Sequence, residues 1–199
     1  RALFQANLNP SLVYVASDEI NALFLHTIPF SGRVEKINSV LAGTTSSAFS
    51  LHALKQFKKT STVAFDSRII TVTREKVKDY LSSRQRDAWR NHNNAYAYWL
   101  LRKQGHKPSE AAKTLRGLKT NELHELLFKQ GVNLAKTPAW QRRGVLIHRQ
   151  PHQKHIENLT VTRWRIKEHW NLPLFASADG STLIQQILEW TKPHATAEE

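Results

Sequence analysis

The sequence predicts an α+β domain built on an antiparallel sheet. Two apolar runs, Leu12–Ala16 and 20–25, flank Ser17 and the two acids Asp18 and Glu19 and are typical of a β-hairpin. Apolar residues then recur at helical spacing over 34–57, and two further apolar stretches near the C-terminus indicate strands. The chain is therefore expected to contain both strands and helices.

The composition indicates one domain over residues 1–199, since 40% of its 199 residues are apolar and 23% are charged. No run of about 18 apolar residues and no signal-peptide pattern is visible, so we expect a soluble cytoplasmic protein. The absence of cysteine excludes disulfides, thiolate nucleophiles and cysteine-bound zinc. Because the chain begins at Arg1 and contains no methionine, we expect its true start to lie upstream.

The charge balance points to a polyanionic partner. Lys and Arg number 29 against 16 Asp and Glu, which gives a formal charge of +13. Nucleic acid is the commonest partner that offsets such an excess, and an acidic membrane surface is the alternative. The cations are spread along the chain rather than gathered on one amphipathic helix, which favours nucleic acid.

The first third of the chain contains four predicted elements. The hairpin follows the end of a helix at 2–6, which Asn9 and Pro10 terminate. Residues 34–57 have small side chains between the apolar positions, which predicts a closely packed helix. Residues 61–73 alternate between apolar and charged side chains, so we expect a strand with one charged face.

A long helix is expected from Thr73, a suitable N-cap, to about residue 104, before Gly105. Arg84, Asp87 and Asn91 lie within or beside its apolar stripe. Their spacing of three and four residues predicts a hydrogen-bonded row. The row either holds the helix to the sheet or contributes to binding, and the spacing alone leaves both open.

The C-terminal half contains shorter elements and an extension of strands and a helix over about 145–199. A polar segment at 151–158 separates the two predicted strands. The predicted short helices, strands, last helix and frayed tail are 108–116, 120–127, 144–148, 159–166, 181–190 and 192–199.

The acids Asp18 and Glu19 are the first candidate for chemistry. An ionised carboxylate at the end of a buried strand needs compensation, and Mg²⁺ takes one or two carboxylates together with substrate phosphates. The alternative is a hairpin tip whose acids sit in water. Arg33 and Lys36 follow the glycine turn at Gly32 and begin a helix, which suits phosphate; a solvated basic turn is the alternative.

Other chemistries lack their motifs. Neither a P-loop nor a dinucleotide-binding glycine turn occurs, and no Gly-x-Ser-x-Gly elbow is present. His148, His152 and His155 have metal-like spacing, but Pro151 interrupts them and no fourth ligand is evident. Nucleotide binding would therefore depend on metal and basic side chains.

Several short motifs occur in one order along the chain. They are Ser17-Asp18-Glu19, Gly32-Arg33-x-x-Lys36, Phe65-Asp66-Ser67-Arg68, Arg84-Gln85-x-Asp87, Asn91 and Glu122-Leu123-His124-Glu125-Leu126-Leu127. This order resembles the tRNA-histidine guanylyltransferase family, the 3′-to-5′ RNA polymerases, and most of all its guanylyltransferase-like branch. The resemblance spans about residues 7–175 and includes Trp140-Gln141-Arg142-Arg143-Gly144 and Leu172-Pro173-Leu174-Phe175.

The resemblance implies a polymerase-like or cyclase-like palm, an antiparallel sheet with helices packed on one face. It implies a homotetrameric nucleotidyltransferase that uses two Mg²⁺ ions and ATP or GTP to add nucleotides to the 5′ end of tRNA. Asp18 would bind metal and act in catalysis with Glu19, while Ser17, Arg33, Lys36 and Arg68 would bind nucleotide. The residues implied to contact RNA are Arg84, Asp87, Asn91, Lys119, His124, Arg142 and Arg143.

Two departures from the family pattern affect this interpretation. The family's other metal-binding aspartate lies in an Asp-Gly-Arg-type segment, which we expect upstream of Arg1. A histidine is common where Trp89 stands, and its replacement favours 5′-end repair over strict tRNA-histidine guanylation. A non-catalytic RNA-binding protein with a degenerate palm and a cyclase-like palm remain alternatives.

Overall fold

The structure is a computed structural model that describes residues 1–156 and 159–190. The predicted tail at 192–199 lies outside the described residues. Among the described helices, none is both long and apolar enough to cross a membrane.

In chain order the elements are α1 Ala2–Gln5, β1 Leu12–Ala16, β2 Glu19–Leu23, a 3₁₀ turn Pro29–Gly32, α2 Val34–Phe57, a 3₁₀ turn Arg74–Lys76, α3 Val77–Lys103, α4 Pro108–Leu115, α5 Thr120–Lys129, a 3₁₀ turn Leu134–Lys136, α6 Ala139–Arg143, β3 Val145–Ile156, β4 Leu159–His169 and α7 Ala178–Trp190.

The sheet is antiparallel, in the order β2-β1-β3-β4. The predicted hairpin is confirmed, because β1 and β2 pair from Ala16 opposite Glu19. Val15 then pairs with Val145 at the start of β3, and the end of β4 at His169 lies at the same end of the sheet. We call this the turn end, since it carries the 17–18 turn.

Helices cover both faces of the sheet. Strand residues alternate between the faces, so Leu12 and Tyr14 pack with α3 and α7, while Val13 packs with α1 and the first half of α2. The predicted α+β antiparallel class is confirmed. The expectation that helices pack on one face only is wrong, because the neighbouring residues of β1 are apolar on both sides.

Residues 61–73 do not form the predicted strand. They run along α2, and the serines of that helix take up their backbone donors: the Phe65 N–H donates to Ser46 Oγ at 2.9 Å. Ser67 Oγ donates to Asn38 Oδ1 at 3.1 Å. The predicted strand is therefore wrong: these hydrogen bonds of the segment go to a helix rather than to a neighbouring strand.

The last strands are longer than predicted. β3 continues through Pro151 and much of the polar segment, pairing with β4 to Ile156. Proline is tolerated there because β1 stops opposite His148, so β3 has one neighbour beyond that point. The last helix begins three residues before Ser181, because Ser177 Oγ accepts the Gly180 N–H at 3.2 Å as an N-cap.

Candidate functional site

The hairpin turn presents the two acids at the turn end of the sheet. Ser17 has φ of +55°, a left-handed conformation that closes a two-residue turn. Asp18 and Glu19 are both exposed. Among the described residues, none makes a hydrogen bond or ion pair with the Asp18 carboxylate. It is therefore an available ligand.

Glu19, in contrast, is held at both carboxylate oxygens. Asn21 Nδ2 donates to Oε1 at 2.9 Å, and the Arg84 guanidinium lies 3.5 Å from Oε2. Asn21 is in turn fixed by Tyr80, whose hydroxyl donates to its Oδ1 at 2.7 Å. Helix α3 thus orients Glu19 through Arg84 directly and through Tyr80 indirectly.

The predicted polar row on α3 is confirmed in part. Arg84 pairs with Asp87 at 2.5 Å, and Asp87 also pairs with Arg90 at 2.9 Å. Asn91 is exposed and lies outside this row. Because Arg84 also contacts Glu19, the row connects the helix to the hairpin, one of the two roles left open by the spacing.

A cleft of about 370 Å³ opens beside the acids. It follows the outer edge of β2, which pairs with no other described strand, and it is closed by α2, α3 and residues 65–72. Its charged lining consists of Asp18, Glu19, Asp66 and Arg68. Burial raises the pKa of Tyr80 in its wall, while the nearby Arg84 and Arg68 act in the opposite direction.

The residues of the cleft fit Mg²⁺ in a limited way. Asp18 supplies one carboxylate without a partner. In the described part of the chain, no three or more His, Cys, Asp or Glu side chains lie close enough together to hold a metal ion. Mg²⁺ commonly takes one or two carboxylates and completes its shell with water and phosphate oxygens. Asp18 therefore suits an ion that arrives with a phosphate ligand.

The predicted phosphate site lies elsewhere on the surface. Arg33 and Lys36 are exposed at the start of α2, where Phe30, Ser31 and Gly32 all have positive φ. Arg33 Nε donates to the Phe30 carbonyl at 3.3 Å, and Lys36 Nζ lies 5.0 Å from the Phe30 ring. Neither cation lines the cleft, because the chain reaches α2 from the end of β2 opposite the turn.

The four other residues implied to contact RNA differ in availability. Lys119 is exposed beside α5. His124 is half-buried, 3.4 Å from Asn93 and in edge-to-face contact with Trp89. Arg142 Nε donates to the Thr137 carbonyl at 2.9 Å, and Arg143 donates to the Leu172 carbonyl at 2.8 Å. Both arginines keep further donors, because each has five N–H groups.

Sequence reasoning missed Asn21 and Tyr80 as residues that position the site. Asn21 shares a face of β2 with Glu19 because strand residues two apart point the same way. Tyr80 and Arg84 are one helical turn apart, so both reach the hairpin. These local signals were present in the sequence, whereas the contact between α3 and the hairpin was not.

Two protein-family models match the chain. The model described as tRNAHis guanylyltransferase matches residues 1–73, and the model described as Thg1 C terminal domain matches residues 75–186. The second match alone covers more than half of the chain.

Curated relatives give the same result. A probable tRNA(His) guanylyltransferase of Dictyostelium discoideum is 33% identical over 140 residues, which cover 67% of this chain and 55% of that protein. A tRNA(His) guanylyltransferase of Candida glabrata is 31% identical over 154 residues, which cover 73% of this chain and 65% of that protein. The chain thus spans little more than half the length of such relatives.

Solved structures share the fold. A bacterial tRNA(His) guanylyltransferase (Thg1)-like protein in complex with ATP has a TM-score of 0.66 and 22% identity, over 90% of this chain and 71% of that one. The tRNA(His) guanylyltransferase of Saccharomyces cerevisiae has a TM-score of 0.61 and 28% identity, over 72% of this chain and 67% of that one.

Proposed function

We propose that this chain, which belongs to the tRNAHis guanylyltransferase family, is a metal-dependent nucleotidyltransferase. It adds nucleotides to the 5′ end of tRNA in the 3′-to-5′ direction. The reaction is phosphoryl transfer: the 3′-hydroxyl of an incoming nucleotide attacks the activated 5′ phosphate of the RNA, and the activating group leaves. ATP or GTP supplies that activating group.

The observation that carries this proposal is the contrast between the two neighbouring acids. Asp18 is exposed and free of partners among the described residues, while Glu19 is fixed by Asn21 and Arg84. The chain has a formal charge of +13, so Lys and Arg side chains are abundant. Even so, none of those in the described residues forms an ion pair with Asp18. Asp18 is therefore free to bind an incoming cation.

The positions of the cleft residues support a role for each of them. Asp18 would hold Mg²⁺, which supplies charge neutralisation for the phosphates and lowers the pKa of an attacking hydroxyl. Glu19 keeps its orientation through α3, so it supports Asp18 rather than competing with it. Arg68 lines the same cleft, which supports a role in binding the phosphates of the nucleotide.

Arg33 and Lys36 contribute to nucleotide binding from outside the cleft, and Ser17 contributes through the turn. Neither cation forms an ion pair within the described residues, so both are available for a triphosphate. Lys119 and the remaining donors of Arg142 and Arg143 suit the RNA backbone. We further propose one domain over 1–199, a homotetramer and a cytoplasmic location.

Trp89 favours 5′-end repair as the physiological reaction. Its ring lies parallel to His92 at 5.6 Å and meets His124 edge-to-face at 5.5 Å. A side chain packed among rings in this way is not free to read a base. A position where histidine is common in tRNA-histidine enzymes is therefore used in this chain for packing.

The test is incorporation of labelled nucleotides into 5′-truncated tRNA with Mg²⁺. Asp18→Asn removes the charge and keeps the shape, so we expect at least about a hundredfold loss of rate, as for other lost electrostatic stabilisers of a transition state. Asp79→Asn is the matched control, since Asp79 is an exposed acid on α3 whose ion pair among the described residues is with Lys76. Equal rates for the two variants would contradict the role of Asp18.

A non-catalytic RNA-binding protein is the second candidate. It is favoured by the lack of a group of three metal-binding side chains in the described part of the chain. This candidate predicts RNA binding that weakens steeply with salt, with no incorporation under any condition. Incorporation that Asp18→Asn abolishes would exclude it.

A further inference from the structure

Two exposed tryptophans meet at the turn end of the sheet. Trp140 on α6 and Trp170 after β4 are 47% and 54% exposed, and their ring centroids are 6.4 Å apart at 78°. Large aromatic side chains of this kind are costly to leave in water, so an exposed pair marks a binding surface.

The pair is held in place before any ligand arrives. Trp170 Nε1 donates to Glu168 Oε2 at 3.0 Å, and Arg1 forms an ion pair with the same carboxylate. On the other side, α6 is fixed by the bonds of Arg142 and Arg143 to backbone carbonyls. Rings positioned in advance lose little conformational entropy when a ligand stacks on them.

The pair lies on the same end of the sheet as Asp18. β2, β1, β3 and β4 follow one another there, and neighbouring strands are about 4.8 Å apart. From the hairpin turn to the end of β4 is therefore about 10–15 Å. One end of an RNA molecule can reach both places.

The surroundings favour a nucleic acid over a protein surface. Arg142 and Arg143 belong to the same short helix as Trp140, and neither forms an ion pair among the described residues. Glu168, which accepts the Nε1–H of Trp170, forms an ion pair with Arg1. Aromatic rings beside cations that lack acidic partners are the usual arrangement for stacking a base while binding its phosphate.

We propose that Trp140 and Trp170 form a stacking site for an unpaired base of the RNA whose 5′ end lies at Asp18. The edge-to-face arrangement leaves a corner in which a base stacks on one ring and contacts the edge of the other. This inference rests on the proposed function, since it assumes an RNA end at the turn end. It adds a reason for the enzyme to prefer RNA with a single-stranded extension.

The experiment measures the Kd of two labelled RNA hairpins, one blunt and one with a short unpaired 3′ extension. Trp170→Leu and Trp140→Leu are compared with Phe57→Leu, which removes an exposed aromatic ring at the end of α2. We expect each tryptophan variant to weaken binding of the extended hairpin by at least about fivefold and to leave the blunt hairpin within about twofold. Trp170→Phe, which keeps a ring, should retain most of the affinity.

The salt dependence provides a second readout. Since no phosphate contact is lost, the slope of log Kd against log salt should stay the same in the tryptophan variants. Equal weakening of both hairpins, no weakening of either, or a change of oligomeric state without a change in Kd would overturn the stacking site. The last result would identify the pair as a protein interface.

Incorporation assays separate this proposal from the proposed function. A wild-type protein that adds nucleotides, together with tryptophan variants of unchanged Kd, refutes only the stacking site. Tryptophan-dependent binding of the extended hairpin without any incorporation refutes only the enzymatic activity. A wild type that binds neither hairpin refutes the stacking site, while incorporation into 5′-truncated tRNA still decides the enzymatic activity.

Discussion

Replacing Gln85 by leucine should destabilise the protein by about 2–4 kcal/mol. The buried Gln85 side chain connects α3 to two other segments: Oε1 accepts the Phe175 N–H at 2.8 Å, and Nε2 donates to the Pro173 carbonyl at 3.1 Å. Nε2 also lies 3.3 Å from the Arg143 carbonyl. Leucine fills a similar volume and makes none of these bonds.

The size of the destabilisation depends on which of the three backbone groups bonded to Gln85 still has a hydrogen-bond partner after the substitution. The Phe175 N–H is buried and loses its acceptor, which costs about 1–3 kcal/mol. The Pro173 carbonyl loses the Gln85 Nε2 donor, which costs about 1 kcal/mol more. The Arg143 carbonyl adds little, because it still accepts the Tyr14 hydroxyl at 3.0 Å.

Urea denaturation followed by circular dichroism measures the change. Gln104→Leu is the matched control, since Gln104 bonds to Gln130 on the surface at 3.0 Å and should change stability by less than about 0.5 kcal/mol. Gln85→Glu should cost more than Gln85→Leu at neutral pH, because it would bury an unpaired carboxylate against the Pro173 and Arg143 carbonyl oxygens. If Gln85→Leu resembled the surface control, the assignment of buried hydrogen bonds would be refuted.

Two other changes test the packing. Burial lowers the pKa of His92 and of His148 from 6.5 to about 4, so both rings are neutral in the folded protein. The stability that comes from keeping these rings neutral is complete above pH 6.5 and is lost as the pH falls towards 4. At pH 5 each ring should lower the free energy of unfolding by about 2 kcal/mol, because the unfolded chain binds a proton that the folded chain does not. Urea titrations at pH 7.5 and pH 5 measure this loss of stability. His92→Gln should halve the difference in the free energy of unfolding between the two pH values. If the variant shows the same difference as the wild type, the buried imidazoles do not cause it. Gly144→Ala should destabilise by more than about 3 kcal/mol, since a Cβ there would lie 2.5 Å from the Val15 carbonyl oxygen at a φ of +76°. Gly43→Ala, inside α2 with no atom within 4 Å of the new Cβ, should instead stabilise by about 0.5–1 kcal/mol, and equal effects at the two glycines would refute the steric argument.

Elements whose signals are local were predicted well. The helix at 34–57 has the predicted bounds, and the hairpin has its acids at the tip. Both depend on contacts between residues a few positions apart, which the order of side chains already specifies. The family resemblance was also readable, because it consists of short motifs in a fixed order.

Elements whose signals depend on a distant partner were predicted less well. Residues 61–73 alternate like a strand, but the serines of α2 take their donors. Pro151 and the polar residues after it suggested a break, yet β4 pairs with them along an open edge. Alternation and polarity describe one chain segment, whereas pairing depends on which other segment lies beside it.

The candidate site divides in the same way. The sequence by itself determined that Asp18 and Glu19 share a turn, that Arg84 and Asp87 are neighbours on a helix, and that the chain is strongly basic. Only the tertiary structure decided that Arg84 reaches Glu19 across 65 positions while Asp18 stays free among the described residues, and that Trp140 meets Trp170. The physical reason is that charge and helical spacing are properties of the chain, whereas the pairing of a particular carboxylate depends on how α3 packs against the sheet.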